Sequence, residues 1–164
     1  KLGVDGIVIG CLTAEGDVDI ERCRELVAAA GGMDITFHRA FDKCRDPFAS
    51  LEQIIALGCS RILTSGQQPK AVQGIELLKK LVRQAGDRII IMPGSGINEN
   101  NIATIARETG AVEFHLSARE PVQSGMKYRE STVSMGGTNI TIDEFEQLIT
   151  SARKVKDTLT VLNS

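Results

Sequence analysis

Several residue types are scarce in this chain of 164 residues, and each scarcity excludes a class of protein. There is no tryptophan, aromatic residues make up only 4%, and the four cysteines, Cys11, Cys23, Cys44 and Cys59, form no CxxC pair. That spacing excludes a disulfide-rich scaffold and a tetrahedral zinc site, and it predicts reduced thiols in a cytoplasmic protein. No apolar run approaches the roughly 20 residues that a membrane-spanning helix needs.

Neither positive nor negative charge predominates in the chain. Lys and Arg number 19 and Asp and Glu number 21, so the formal net charge is −2, and the basic residues are dispersed. We therefore expect neither nucleic acid nor a membrane surface as a partner. Hydrophobic residues make up 42% of the chain, as in an ordinary globular protein, and the length suffices for a sizeable core. Residues 1–164 are interpreted as a single domain.

What the chain does contain is a regular alternation of short apolar strands and helical patterns. The strands are predicted at 6–10, 34–38, 61–65, 88–92 and 112–116. The helices are predicted at 19–30, 48–57, 71–85, 99–108 and 143 to about 159. The strand residues Ile7, Ile35, Ile62, Ile90 and Phe114 recur at intervals of 28, 27, 28 and 24 residues. A βα repeat of this length predicts an α/β fold with a parallel sheet and helices outside it.

Two architectures fit this repeat, a five-stranded doubly wound sheet and a (β/α)₈ TIM-type barrel. Residues 1–3 resemble the end of a helix, so we favour a barrel of which the chain holds about five βα units. Eight units of this length make about 225 residues, close to the roughly 250 residues usual for the fold. Five units would leave open sheet edges, and we expect association with the missing N-terminal segment or with a second copy.

Ionisable residues gather where two of the predicted strands end. His38 ends one strand and Arg39 and Asp42 follow it, while Glu113 and His115 alternate with apolar residues in another. The outer face of a barrel strand packs against helices, so the polar positions point into the lumen, near the C-terminal mouth where barrel enzymes keep their chemistry. These five residues are the candidate catalytic groups. The alternative is a structural role, with hydrogen-bonded histidines and an Arg39–Asp42 ion pair.

Small and polar residues occupy the loops after the later strands. The candidate ligand-binding residues are Thr64, Ser65, Gly66, Gly94, Ser95, Gly96, Ser117 and Arg119. Backbone N–H groups in such loops, together with one arginine, favour an anion site, and barrel phosphate sites often lie after strands 7 and 8. The alternative for the Gly-Ser-Gly stretch is a tight turn that needs positive φ.

Two of the cysteines follow adjacent predicted strands. Cys11 and Cys44 are placed at the same rim, and a thiol pair there is a candidate for Cu(I), which prefers sulfur ligands. Cys23 lies on the apolar face of a predicted helix and Cys59 lies at the entry end of a strand. Both are interpreted as packing residues.

The stretches DGIVIGCLTAEGDVD, TFHRAFD, RILTSG, PGSGI, EFHLSAR and SGMKYRESTVSMG resemble the CutC copper-homeostasis family, in order and through about residue 140. The resemblance implies a (β/α)₈ barrel, a cytoplasmic location and a role in copper handling. It also implies that the N-terminal third of the family's barrel, which carries the cysteines proposed as Cu(I) ligands, is missing here. The family's shared polar positions fall on His38, Arg39, Asp42, Thr64, Ser65, Gly66, Glu113, His115, Ser117 and Arg119.

Two functions therefore remain open. One is a copper-homeostasis protein that binds Cu(I) on a barrel scaffold. The other is an enzyme that binds a small anionic or phosphorylated metabolite at the strand C-terminal rim, with His38, His115 or Glu113 as acid–base groups and Arg39 or Arg119 as the anion clamp. The sequence identifies no reaction.

Overall fold

The computed structural model describes residues 3–130, 132–133 and 143–163. The strands are β1 (Gly6–Ile9), β2 (Asp34–Phe37), β3 (Arg61–Thr64), β4 (Ile90–Pro93), β5 (Arg119–Gln123) and β6 (Glu146–Thr150). The helices are α1 (Ile20–Ala30), α2 (Pro47–Ala56), α3 (Ile75–Ala85), α4 (Ile102–Thr109) and α5 (Ala152–Leu162). Short 3₁₀ helices cover Arg39–Lys43 and Ala71–Gln73.

The first four strands form a parallel sheet in the order β1-β2-β3-β4. A doubly wound sheet would reverse its strand order at one point, whereas a barrel adds each strand beside the previous one. The observed order is therefore that of consecutive units in a TIM-type barrel. β5 and β6 form a separate antiparallel pair.

The register of the sheet separates an apolar face from a mixed one. Ile9 pairs with Phe37, Phe37 with Ile62, and Ile62 with Ile91, and all four side chains are buried among the helices. The alternate positions form the opposite face, which is the lumen side in a barrel. It is more open, and Val8 there is 65% exposed. Burial on one face of each strand thus fixes which side chains the other face presents.

Helix ends follow the local signals in the sequence. Asp19 caps α1 by accepting a hydrogen bond from the Arg22 backbone N–H. Asp46 caps α2, with Pro47 in the first turn. Gly110, with φ of 76°, ends α4 in the left-handed conformation that glycine adopts most readily. Both signals are readable from the sequence, since Asp followed by Pro favours a helix start and Gly favours a helix end.

The fifth predicted strand is reduced to a single bridge. Segment 112–116 pairs with the β4 loop only between Gly94 and His115, in the parallel sense. Within the described residues this segment forms no second ladder pair with β4, so it does not reach the length of a strand. The prediction of a full strand at 112–116 is wrong, although the segment lies where a fifth strand would pair.

The last predicted helix begins too early. Residues 146–150 are β6, which pairs with β5 in an antiparallel hairpin. Ser151 caps α5 by accepting a hydrogen bond from the Lys154 backbone N–H, so the helix begins at Ala152. Tertiary pairing overrides the helical pattern here. Part of the stretch SGMKYRESTVSMG (124–136) lies outside the described residues, namely 131 and 134–136. Within the described ranges, no helix combines the length and the apolar character needed to cross a membrane.

Candidate functional site

Asp42 lies at the centre of a hydrogen-bond network that joins the loops after β2 and β3. Its Oδ1 accepts from Thr64 Oγ1 at 2.5 Å and from the backbone N–H groups of Ser65 and Gln67 at 3.0 and 3.1 Å. Its Oδ2 accepts from Arg39 Nε at 2.7 Å. Burial raises the pKa of this carboxyl, but the hydrogen bonds, led by those from Thr64 and Arg39, outweigh it and hold the pKa below its usual value. A carboxylate so fully hydrogen-bonded positions the two loops.

Arg39 is held in one orientation by its neighbours. Nε donates to Asp42 and Nη2 donates to Ser65 Oγ at 2.8 Å. A guanidinium has five N–H donors. Within the described part of the chain Arg39 uses two of them, so three remain, and its side chain is 43% exposed. The arrangement presents a fixed donor group to solvent at the C-terminal ends of β2 and β3.

His38 lies on the lumen face, stacked over Gly10. A Cβ at Gly10 would lie 2.5 Å from the imidazole Nδ1 and Cε1, so only glycine leaves room for the ring. Nδ1 accepts the Ala40 backbone N–H at 3.0 Å. Because Nδ1 is the acceptor, the neutral ring carries its proton on Nε2. In this tautomer His38 offers an N–H donor to a ligand.

Glu113 and His115 belong to the same face but differ in surroundings. Both Glu113 carboxylate oxygens accept from Arg61, at 2.6 and 3.2 Å, and Arg61 also donates to Asp34 at 3.4 Å. The partner that a lumen carboxylate needs is therefore Arg61, which sequence spacing does not reveal. His115 is exposed beside Gly94, and β3 and β4 lie between it and the strand that carries His38.

The Gly94–Gly96 stretch forms a tight turn with positive φ. This was the alternative to an anion site for these residues. Ser95 and Gly96 have φ of 81° and 76°. Ser95 Oγ donates to the Pro69 carbonyl at 2.8 Å, which ties this turn to the loop after β3. Gly94 is needed for close packing, because a Cβ there would lie 2.4 Å from Leu63 Cδ1.

Some of the predicted catalytic and ligand-binding residues come together in two groups. His38, Arg39, Asp42, Thr64 and Ser65 form the first, which we call the rim cluster; the Gly66 N–H donates to Thr64 Oγ1 at 2.9 Å and completes its loop. Gly96, Ser117 and Arg119 line a separate cleft of about 320 Å³ together with part of α5. Lys154 and Thr158 of α5 belong to this cleft, and sequence patterns gave no signal for either.

A larger cavity, of about 590 Å³, lies at the opposite end of the strands. Its walls come from the N-terminal half of β4 and from the ends of α3 and α4. They are largely backbone and aliphatic, and the arginine among them, Arg88, is bound by Glu52 at 2.6 Å. Barrel chemistry belongs to the C-terminal ends of the strands, so the rim is the better candidate.

For Cys11 and Cys44 the structure gives contacts with other residues. All four cysteines are free, and Cys23 Sγ lies 3.9 Å from the Cys11 carbonyl oxygen, so Cys11 neighbours Cys23. Cys44 Sγ accepts instead from Gln67 Nε2 at 3.5 Å. Burial raises the pKa of the Cys23 and Cys44 thiols, and it raises that of Cys59 to about 11. Within the described residues, no group of three or more His, Cys, Asp or Glu side chains is placed to hold a metal ion.

Comparison with known proteins decides the family. The family model described as CutC family matches residues 1–120. A family protein CutC of Bacteroides thetaiotaomicron is 57% identical over 164 residues, which is all of this chain and 66% of that protein. This chain belongs to the CutC family. The copper homeostasis protein cutC homolog of Homo sapiens is 45% identical over 154 residues, covering 94% of this chain and 56% of the human protein.

Solved structures agree with the CutC assignment and with the fold. The crystal structure of a copper homeostasis protein CutC from Streptococcus agalactiae matches with a TM-score of 0.67 at 36% identity, over 70% of this chain and 56% of that one. The native KDPGal structure matches with a TM-score of 0.57 over 98% of this chain and 59% of that one. At 14% identity it shows likeness of fold alone. The chain spans between about half and two thirds of the length of these relatives.

Proposed function

We propose that this chain is part of a cytoplasmic copper-homeostasis protein and that its own contribution is a rim site for a small anionic ligand. The observation that carries the second part is the fixed Arg39 guanidinium, held between Asp42 and Ser65 and still rich in free donors. The side chains of the rim cluster carry no sulfur, and Arg39 and His38 supply its N–H donors. Such groups suit an oxyanion, whereas Cu(I) prefers sulfur.

The rim-site proposal gives each side chain a distinct role. Arg39 forms charge-assisted hydrogen bonds to the anion, and His38 adds a directed N–H from Nε2. Asp42 balances the Arg39 charge and keeps its orientation, so the guanidinium selects ligands by geometry more than by net charge. Neither nucleic acid nor a membrane surface is part of the proposal, since the charge is small and dispersed.

In the full-length protein, we expect His38→Ala and Arg39→Ala to weaken the binding of small organic anions about tenfold. Tm should change little in His38→Ala but fall in Arg39→Ala, because the buried Asp42 carboxylate loses its counter-charge. Loss of one charge-assisted hydrogen bond costs roughly 1.5–3 kcal/mol in binding, which is tenfold or more. Malonate, malate and glycerol 3-phosphate are suitable probes, with affinity measured by calorimetry and Tm by circular dichroism.

Arg45→Ala is the matched control, because Arg45 also pairs with a carboxylate, Asp17 at 2.7 Å, and lies outside the rim cluster. Its affinity for the same probes should match that of the wild type. Unchanged affinity in the Arg39 and His38 variants, combined with a lowered Tm, would return both residues to a purely structural role.

The copper part of the proposal concerns the thiols. The sequence motifs point to Cys11 and Cys44, and the structure adds Cys23 as the thiol beside Cys11. Cys11 is half-buried, whereas Cys23, Cys44 and Cys59 are buried thiols with raised pKa values, and a thiolate is the form that binds metal. Cys11 is thus the accessible thiol of this chain for Cu(I).

Cu(I) titration against a competing chromogenic chelator tests this. We expect Cys11→Ser/Cys44→Ser and Cys11→Ser/Cys23→Ser each to lower the Cu(I) stoichiometry of the full-length protein, since both remove Cys11. Cys59→Ala serves as the control, because that thiol lies apart from the rim and is only 4% exposed. An unchanged stoichiometry in both double variants would remove the thiols of this chain from copper binding.

Association is also part of the proposal. β1 is an edge of the parallel sheet, and Val8 on its lumen side and the preceding Val4 are 65% and 56% exposed. An edge strand with exposed apolar residues is a surface that other strands cover. The occupant is either further strands of the same protein or a second copy.

A further inference from the structure

The cleft of about 320 Å³ that lies apart from the rim cluster is built from three elements. The loop after β4 forms one wall and the segment that leads into β5 forms the second. α5 closes it. We call it the Arg119 cleft, and its lining residues are Gly96, Ile97, Asn98, Glu99, Asn100, Leu116, Ser117, Ala118, Arg119, Lys154 and Thr158. Its volume lies at the lower end of the range for small-molecule sites, about 300–1,000 Å³.

Two cations converge on the Arg119 cleft. The Arg119 guanidinium forms no hydrogen bond or ion pair with any residue of 3–130, 132–133 or 143–163, whereas the neighbouring Arg153 pairs with Glu120 and Asp157. Lys154 Nζ donates to the Arg119 carbonyl at 2.8 Å, which holds the ammonium at the cleft wall. One carboxylate, Glu99, also lines the cleft, so the formal charge of its side chains is +1.

Neutral donors add to the cations. Ser117, which carries a hydroxyl, belongs to the lining, and the two turns that bound the cleft, at Gly96 and Ala118, have φ of 76° and 46°. The Ala118 carbonyl is already used, since it accepts the Ser151 backbone N–H at 2.9 Å. The side chains of the cleft thus supply hydrogen-bond donors from three places. These are Ser117 in the segment before β5, Arg119 in β5 and Lys154 in α5.

We propose that the Arg119 cleft binds a phosphate group, with Arg119 and Lys154 as its two cationic ligands and Ser117 as a hydrogen-bond donor. The inference rests on the proposed anionic-ligand function and names the chemistry of the ligand. Donors that approach from three elements suit a tetrahedral oxyanion better than a planar carboxylate. The two loops follow consecutive strand positions of the barrel, as the two loops of a barrel phosphate site do.

The proposal gives α5 a functional role. Lys154 lies 35 residues after Arg119 in sequence, and the β5–β6 hairpin brings the two together. A phosphorylated metabolite would place its phosphate here and direct its remaining polar groups towards the lumen face.

Titration of the full-length protein with inorganic phosphate at constant ionic strength, followed by NMR chemical shifts, tests the proposal. We expect Arg119→Ala to weaken phosphate binding at least tenfold and Lys154→Gln several-fold, with Lys154→Arg retaining most of the affinity. Arg153→Ala is the matched control, since Arg153 is adjacent in sequence to Lys154, 71% exposed and engaged by carboxylates, and it should bind phosphate within twofold of the wild type. Tm is measured for each variant, because Lys154 also bonds the backbone.

The outcomes separate this inference from the proposed function. Loss of phosphate binding in Arg119→Ala but not in Arg39→Ala supports the cleft. No phosphate binding by the wild type, or wild-type binding in Arg119→Ala, overturns it, while Arg39-dependent binding of malonate or malate would leave the rim-site proposal standing. An equal loss in Arg153→Ala would show a non-specific charge effect and also overturn it. If no anion of any kind binds, the proposed function itself fails.

Discussion

Gly74→Ala is expected to lower the free energy of unfolding by about 3 kcal/mol, at the upper end for overpacking of a well-packed site. A Cβ on Gly74 would lie 2.0 Å from the Ser65 carbonyl oxygen and 2.9 Å from Gly66 Cα, and both neighbours are backbone atoms. A flexible side chain would yield to such a contact, but here a whole loop must move. At about 2–4 °C per kcal/mol for a chain of this size, Tm should fall by roughly 6–12 °C.

The measurement is urea denaturation combined with a thermal melt. Gly125→Ala is the control, because a Cβ there would meet nothing within 4 Å. The loop that Gly74→Ala would displace contains Ser65, which donates to Asp42 Oδ2 at 2.9 Å. Ligand binding at the rim cluster should therefore weaken as well. A loss below about 1 kcal/mol would show that the two backbone segments separate easily and that the contact is not a constraint.

Asp42→Asn is expected to destabilise the protein by about 2–4 kcal/mol at neutral pH. The Asp42 side chain is only 6% exposed and accepts hydrogen bonds from Arg39, Thr64, Ser65 and Gln67. An amide in its place would direct N–H donors at groups that are themselves donors, and it would leave the Arg39 guanidinium without its counter-charge. Removing one partner from a buried network of this kind carries the full cost of the groups left unsatisfied.

The effect of Asp42→Asn should depend on pH in a defined direction. Because the pKa of Asp42 in the folded protein lies below its ordinary value of 3.8, the carboxylate stabilises the fold at pH values above 3.8. That contribution is lost as pH falls through the lowered pKa. The stability difference between wild type and variant should therefore be constant from pH 5 to 8 and shrink below about pH 4.

Asp17→Asn is the control for this series, since Asp17 pairs with Arg45 at a solvent-exposed site and such pairs contribute roughly 0–1 kcal/mol. Urea denaturation from pH 3 to 8 gives both curves. A difference between wild type and Asp42→Asn that stays constant down to pH 3 would contradict the assignment of Asp42 as the titrating group.

Local features of this fold were predictable from sequence because their causes are local. Asp46 and Pro47 begin a helix wherever they precede an apolar stripe, and Gly110 ends one because its left-handed conformation is open to glycine. The alternation of burial in β2 and β3 follows from the two-residue period of a strand. The same period placed His38 and Glu113 on the face opposite the helices.

Partners that are distant in sequence were decided by tertiary structure alone. Arg61 and Glu113 are 52 residues apart, and nothing in either neighbourhood specifies the other. The β5–β6 hairpin was missed because residues 146–150 have a helical pattern, and pairing with 119–123 outweighs it.

By itself, the sequence determined the βα repeat, the start of α2 and the end of α4, and the face on which His38 and Glu113 lie. Only the tertiary structure decided that the Asp42 carboxylate accepts hydrogen bonds that join two loops, that Cys11 lies beside Cys23, and that Lys154 lies at the Arg119 cleft. The physical reason is that propensity and periodicity act over a few residues. A side chain's hydrogen-bond partner is set by which strands and loops the packed sheet brings into contact.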